Sequence, residues 1–169
     1  MALNKAPQLY PFVCSVFKKF MDAGGFDTLA LSEMKITQAT HGRVSGEFTV
    51  GGKHLNRLGG LHGGVTSTIV DLGGSLAIAS KGLFATGVST DLNVTFVNSA
   101  KQGDVLLMEA SCVKLGKTLA FTEINLRNKE SGNLIAQGRH TKFVAIAHND
   151  PKNIIGQLKD ENGSHKGKV

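Results

Sequence analysis

Tryptophan is absent from these 169 residues, aromatic side chains make up 6% of them, and Tyr10 is the single tyrosine. A chain so poor in aromatics lacks the interleaved stacking platforms of single-strand binders, so only its charge speaks for nucleic acid. Cysteine is equally scarce. Cys14 and Cys112 stand far apart in sequence, which excludes a disulfide framework and a metal knuckle and points to a reducing compartment. No apolar run reaches the length of a membrane span, and the N-terminal stretch has neither the unbroken apolar centre nor the cleavage site of a secretory signal. A cytoplasmic or mitochondrial protein is therefore expected.

What is present is glycine, at 21 residues, and a formal charge of +6. The length fits one domain. The positive balance suits nucleic acid, an acidic membrane face or a phosphate-bearing ligand alike, so its sign alone excludes none of them.

Leu9, Phe12, Val13, Val16, Phe17 and Phe20 recur at helical spacing and Gly24-Gly25 ends the pattern, which predicts an amphipathic helix. That helix has no arginine, and its apolar face reads as a docking surface rather than a targeting peptide. Alternation through Met34, Ile36 and Gln38, then Val44, Gly46, Phe48 and Val50, separated by His41-Gly42, predicts a hairpin. Residues 63–81 carry apolar side chains on more than one side and read as a buried helix. Gly73 and Gly74 inside it cost about 1 kcal/mol each relative to alanine, which close packing against a sheet would offset. Four strands follow, at 88–96, 105–115, 118–128 and 133–147. The order is α+β, with one antiparallel sheet wrapped around one long helix and an N-terminal helix beside it. The domain spans 1–147. The segment 148–169, rich in Asn, Asp, Lys, Gly and Ser, reads as a mobile polar tail with room for one docking turn at Ile154, Ile155 and Leu158.

The most informative stretch is His54 to Gly64, glycine-rich and leading into the helix that bears Asp71. A helix N-terminus presents free N–H groups and partial positive charge, which suits a phosphate or a developing oxyanion. The Gly-Lys-Ser/Thr of a nucleotide loop is missing, and so are the strand before a dinucleotide fingerprint and the Gly-x-Ser-x-Gly elbow of serine hydrolases. Attack by water therefore fits better than a covalent intermediate. Asp71 lies on an apolar helix, where burial would raise its pKa towards that of a base; a structural carboxylate bonded to a neighbouring hydroxyl is the other reading.

Asn56, His62-Gly63-Gly64, Asp71 and Val88-Ser89-Thr90-Asp91-Leu92-Asn93 together resemble the hotdog-fold acyl-coenzyme A thioesterases of the phenylacetate-degradation type. Leu115 to Thr122 and Leu134 to Lys142 are similar to the thioesterase superfamily member two branch of that family, and the likeness covers roughly 16–143. Arg57 and Gly60 depart from the usual loop pattern.

The resemblance implies hydrolysis of fatty or aryl acyl-coenzyme A to the free acid and coenzyme A. It gives Gly63 and Asn56 the thioester carbonyl and gives Asp71 with Ser89 the water, leaving His62 either to support the carbonyl site or simply to cap the helix. It also places the ligand along Phe96, Val97, Asn98, Ser99 and Lys101 and along Lys114, Gly116, Lys117 and Thr118, with Arg139, Lys142 and Phe143 alongside. The basic members would meet the phosphates of coenzyme A, or else form a solvated positive surface. No metal and no cofactor are implied, since coenzyme A belongs to the substrate.

Eight residues separate Gly63 from Asp71, about 12 Å of helix, too far for one carbonyl to meet both in one chain. The family pairs two subunits across a two-fold axis, so a homodimer is expected to complete the site, with a dimer of dimers as the larger assembly. No nucleic-acid partner is expected. A noncatalytic acyl-coenzyme A-binding or regulatory protein is the alternative, against which the joint presence of Asp71, Ser89 and Asn56 speaks. A hotdog dehydratase would need an Asp-His pair acting on a hydroxyacyl group, whereas His62 sits in the loop.

Overall fold

The helix that carries Asp71 is the centre of the architecture. A computed structural model describes residues 9–162. Helix α1 (Leu9–Asp22) and a short α2 (Phe26–Leu31) precede a hairpin of β1 (Met34–Thr40) and β2 (Arg43–Thr49); α3 (Gly63–Ala79) follows, then β3 (Val88–Phe96), β4 (Val105–Leu115), β5 (Leu119–Asn128) and β6 (Leu134–Phe143). The six strands form one sheet in the order β1-β2-β4-β5-β6-β3, antiparallel throughout. Helix α3 lies across the inner face, against β2 to β6 and most extensively against β4. This is the expected hotdog arrangement, and the N-terminal helix is present as read.

The sequence explains why α3 can lie so close. From Thr66 to Ala79 nearly every residue is buried, Asp71 being one of the few that are not. A Cβ on Gly73 would sit 2.9 Å from Met108 Sδ, and one on Gly74 would sit 2.7 Å from both His140 Nδ1 and Thr122 Oγ1. The two glycines thus let the helix press onto β4, β5 and β6, and the burial gained offsets their helical cost. Across the contact, Gly138 on β6 makes room for Val70, whose Cγ1 would lie 2.4 Å from any Cβ there. Ile69, Leu76 and Ile78 join Phe48, Leu106, Met108, Ile124 and Leu126 in the core.

Two features differ from the sequence reading. Helix α2 was not foreseen: it is six residues long, and only Ala30 and Leu31 are buried, too few to show a period. Beyond β6, which ends at Phe143, the chain folds back on the domain. A single 3-10 turn covers Ala147–Asn149 and α4 spans Ile155–Asn162, with Leu158 buried. Asn153 Oδ1 accepts the Phe84 N–H at 2.8 Å and the Ile154 N–H donates to Gly82 O at 2.9 Å, so the docking turn at 154–158 is held by backbone. The rest of the tail, 163–169, lies outside the described residues.

Candidate active site

The residues singled out in sequence fall into two groups at opposite ends of β3. At its C-terminal end lie the residues expected to hold the thioester carbonyl, the carbonyl end. The loop before α3 is tied by its own amides: the Asn56 side-chain Oδ1 accepts from Leu58 N at 2.9 Å and Gly60 N at 3.2 Å, while Leu61 N donates to Ala100 O at 2.7 Å. With Oδ1 so engaged, Asn56 keeps Nδ2 as a free donor among the described residues. His62 is the N-cap of α3, its Nδ1 accepting the Gly64 N–H at 2.9 Å, so of its two readings the structure supports the cap. The Gly63 N–H makes no hydrogen bond among the described residues. Asn56 and Gly63 both line a cavity of about 350 Å³ together with Phe96, Val97, Asn98 and Ser99. A Cβ on Gly63 would lie 3.3 Å from the Phe96 ring, so glycine keeps that N–H approachable.

At the N-terminal end of β3 lie the residues expected to direct the water, the water end. The register of β3 against β6 shifts between Ser89 and Asp91, which leaves Thr90 bulged. Phe96, Val94 and Leu92 pair with Ala136, Gly138 and His140, the helix-facing residues of β6; after the bulge it is Ser89, paired with Lys142, that continues this series. The bulge therefore re-aims the hydroxyl towards α3.

Ser89 Oγ is 2.8 Å from His140 Nε2, and the same nitrogen is 3.5 Å from Asp71 Oδ1. His140 Nδ1 lies 3.2 Å from the backbone carbonyl of Asp71. A carbonyl can only accept, so Nδ1 carries the proton and Nε2 accepts from Ser89. The imidazole is fully buried, and burial pushes its pKa down against the opposing pull of Asp71. Burial thus favours the neutral ring. The Ser89 oxygen then retains its lone pairs for a water proton, and Asp71 offers a carboxylate beside it.

Several expectations are corrected here. Asp71 is not buried in the single chain: its side chain is 44% exposed, on the border of α3 that the sheet does not cover. Lys142 is no surface cation. It is 4% exposed, faces α3 and donates to Ser75 Oγ at 2.7 Å, behind Asp71. Arg139 projects from the opposite, outer face of the sheet, between Asn93 and Glu123. The foreseen ligand residues do not meet in one chain. Phe96 to Ser99 and Lys101 sit at the carbonyl end, with Lys101 bridging Gly60. Lys114, near the end of β4, and Gly116, Lys117 and Thr118 of the β4–β5 turn lie at the water end, where Phe143 pairs with both Val88 and Leu119.

His140 and Asp27 escaped the sequence reading. For His140 the signal was parity: Ala136, Gly138, His140 and Lys142 share one face of β6, and the first two are plainly inward residues. Asp27, on the unforeseen α2, lines a cavity of about 260 Å³ together with Asp71, Ser75, Ser89, Lys142 and Phe20. Its carboxyl pKa is raised, first by burial and then by Asp71, with Lys142 opposing.

Similarity to known proteins gives the family. The family described as Thioesterase superfamily matches residues 58–135, a span that includes Gly63, Asp71 and Ser89. Human acyl-coenzyme A thioesterase 13 is 42% identical over 129 residues, 76% of this chain and 91% of that protein. The chain belongs to the thioesterase superfamily. Among solved structures, zebrafish thioesterase superfamily member 2 aligns with a TM-score of 0.71 at 44% identity, covering 76% of this chain and 93% of that one. A Streptococcus pneumoniae thioesterase crystallised with coenzyme A aligns with a TM-score of 0.66 at 28% identity, over 73% and 94%. This thioesterase is thus a thioester hydrolase.

Proposed function

We propose that the thioesterase hydrolyses acyl-coenzyme A by direct attack of water, in a site that two copies of the chain build together. The observation that carries this is β3. It is one of the two edge strands of the described sheet, yet Val88, Leu92, Phe96 and the adjoining Val97 are 64%, 41%, 57% and 48% exposed. An open, apolar strand edge is a template for another strand. Eight residues of strand separate the water end from the carbonyl end by about 27 Å, so antiparallel pairing of β3 with its own copy brings Ser89 of one chain towards Phe96 of the other. The half-exposed face of Asp71 then closes against the second chain's carbonyl cavity. Two such pairs would make the expected tetramer.

In this site the Gly63 N–H and Asn56 Nδ2 hold the thioester oxygen. Water, donating to Asp71 and Ser89, adds to the carbonyl carbon and passes its proton to Asp71; the oxyanion is held by the two donors. The carbon–sulfur bond then breaks and the coenzyme A thiolate leaves, to be protonated from Asp71 or solvent. Coenzyme A enters as part of the substrate, and only protein groups and water act on it. The coenzyme A seen with the Streptococcus pneumoniae relative supports the substrate class, and exposed Lys101, Lys114 and Lys117 supply cations for its phosphates. The free thiols Cys14 and Cys112 fit a reducing compartment such as cytosol or mitochondrial matrix. No helix among the described residues is long and apolar enough to cross a membrane.

The test is release of coenzyme A, followed with a thiol reagent over acyl-coenzyme A substrates of graded length and an aryl substrate. Turnover should fall at least about a hundredfold in Asp71→Ala with the assembly intact. Binding of these thioesters without thiol release by the wild-type protein would instead mark a carrier.

A further inference from the structure

Lys142 occupies a position where an apolar residue would be expected. It lies on the helix-facing side of β6 between His140 and Val144, both fully buried, and its own ammonium has Ser75 Oγ as its one hydrogen-bond partner among the described residues. Burying a cation there is costly unless charge of opposite sign faces it. Two carboxylates do. Asp71 on α3 and Asp27 on α2 line the same cavity as Lys142, neither in direct ion pairing with it. Around Asp71 the other polar groups are His140 and Ser89; Asp91 on β3 acts on His140, and α3 itself carries no further charge. The cavity therefore holds two negative groups and one positive one.

We propose that Lys142 is a positioning residue of the water half of the site, its buried ammonium countering the repulsion between the Asp71 and Asp27 carboxylates that share its cavity. Two carboxylates facing one small cavity repel each other, and a cation lining the same cavity counters that. A base already holding its proton cannot take one from water. The opposing influences on Asp27, raised by Asp71 and lowered by Lys142, run in the same sense. Lys142 touches neither substrate nor water; it acts through Asp71, and the inference rests on Asp71 being the base.

The test is the pH profile of kcat/KM for acyl-coenzyme A hydrolysis in the full chain. Removing a positive neighbour raises a carboxyl pKa, so the acidic limb in Lys142→Met moves to higher pH by about one unit, and activity recovers towards the wild type on the alkaline side. Lys142→Arg, which keeps the charge, leaves the limb near its wild-type position. Asp27→Asn removes a negative neighbour and moves the limb the other way, to lower pH. A purely structural role would depress activity by one factor at every pH, and a limb unmoved in Lys142→Met overturns the proposal. Should that variant not fold, Asp27→Asn decides: a downward move supports the proposal and no move overturns it. Asp71→Asn separates the two levels. If it turns over like the wild type, the assignment of Asp71 falls and this proposal with it; if it is inactive while the limbs stay fixed, only the role of Lys142 is lost.

Discussion

Gly74 shows how one residue serves both the fold and the site. A methyl group there would enter the space of His140 Nδ1 and Thr122 Oγ1, each 2.7 Å away, whereas at Gly73 it meets the unbranched, adaptable Met108 thioether at 2.9 Å and Ile124 Cγ1 at 3.3 Å. Alanine is the better helix former by about 1 kcal/mol, but overpacking a core costs about 1–3 kcal/mol. Gly74→Ala should therefore lose stability, by about 1–2 kcal/mol in urea unfolding, while Gly73→Ala stays near neutral. Gly74→Ala should also lose thioesterase turnover, because the ring it displaces orders Ser89; equal unfolding midpoints for the two variants would contradict this reading. At this scale Asn56, Gly63, Asp71 and Ser89 could be named in sequence from the motif that bears them. His140 and Lys142 could not. Both are polar side chains on a strand whose neighbours Arg139 and Thr141 are polar too, so hydropathy does not mark which face is inward, and the charge of Lys142 suggested a phosphate contact.

At the scale of elements, α3 and the four C-terminal strands were legible because their apolar periods run long, and β4 lies where the alternation put it. The bulge at Thr90 was not: an extra residue in one strand is visible only against its partner, and it decides whether Ser89 or Thr90 faces the helix. The edge strand is where the assembly can be tested. Leu92 is the midpoint of β3, so in an antiparallel self-pairing it meets its own copy near the two-fold axis. Leu92→Asp sets like charges against each other there. The expected outcome by light scattering is a folded monomer with an unchanged circular dichroism spectrum and no thioesterase activity. An active monomer would show that one chain suffices.

For the whole molecule, the account is one of incomplete halves. The central helix has the open Gly63 N–H at one end and the Asp71 carboxylate two turns on, the edge strand β3 runs between them, and the foreseen ligand residues divide in the same way. A sequence records all these parts but not their distance, and the split emerges only once β3 is seen to have two functional ends. The most direct measurement mixes two inactive chains. Asn56→Ala has lost the carbonyl half and Asp71→Asn the water half; refolded together one to one, half of the pairs are mixed and each mixed pair holds one intact site. The account predicts recovery to about a quarter of wild-type turnover. If the mixture stays as inactive as its parents while exchange of subunits is demonstrated, the site is not shared between chains and the account is wrong.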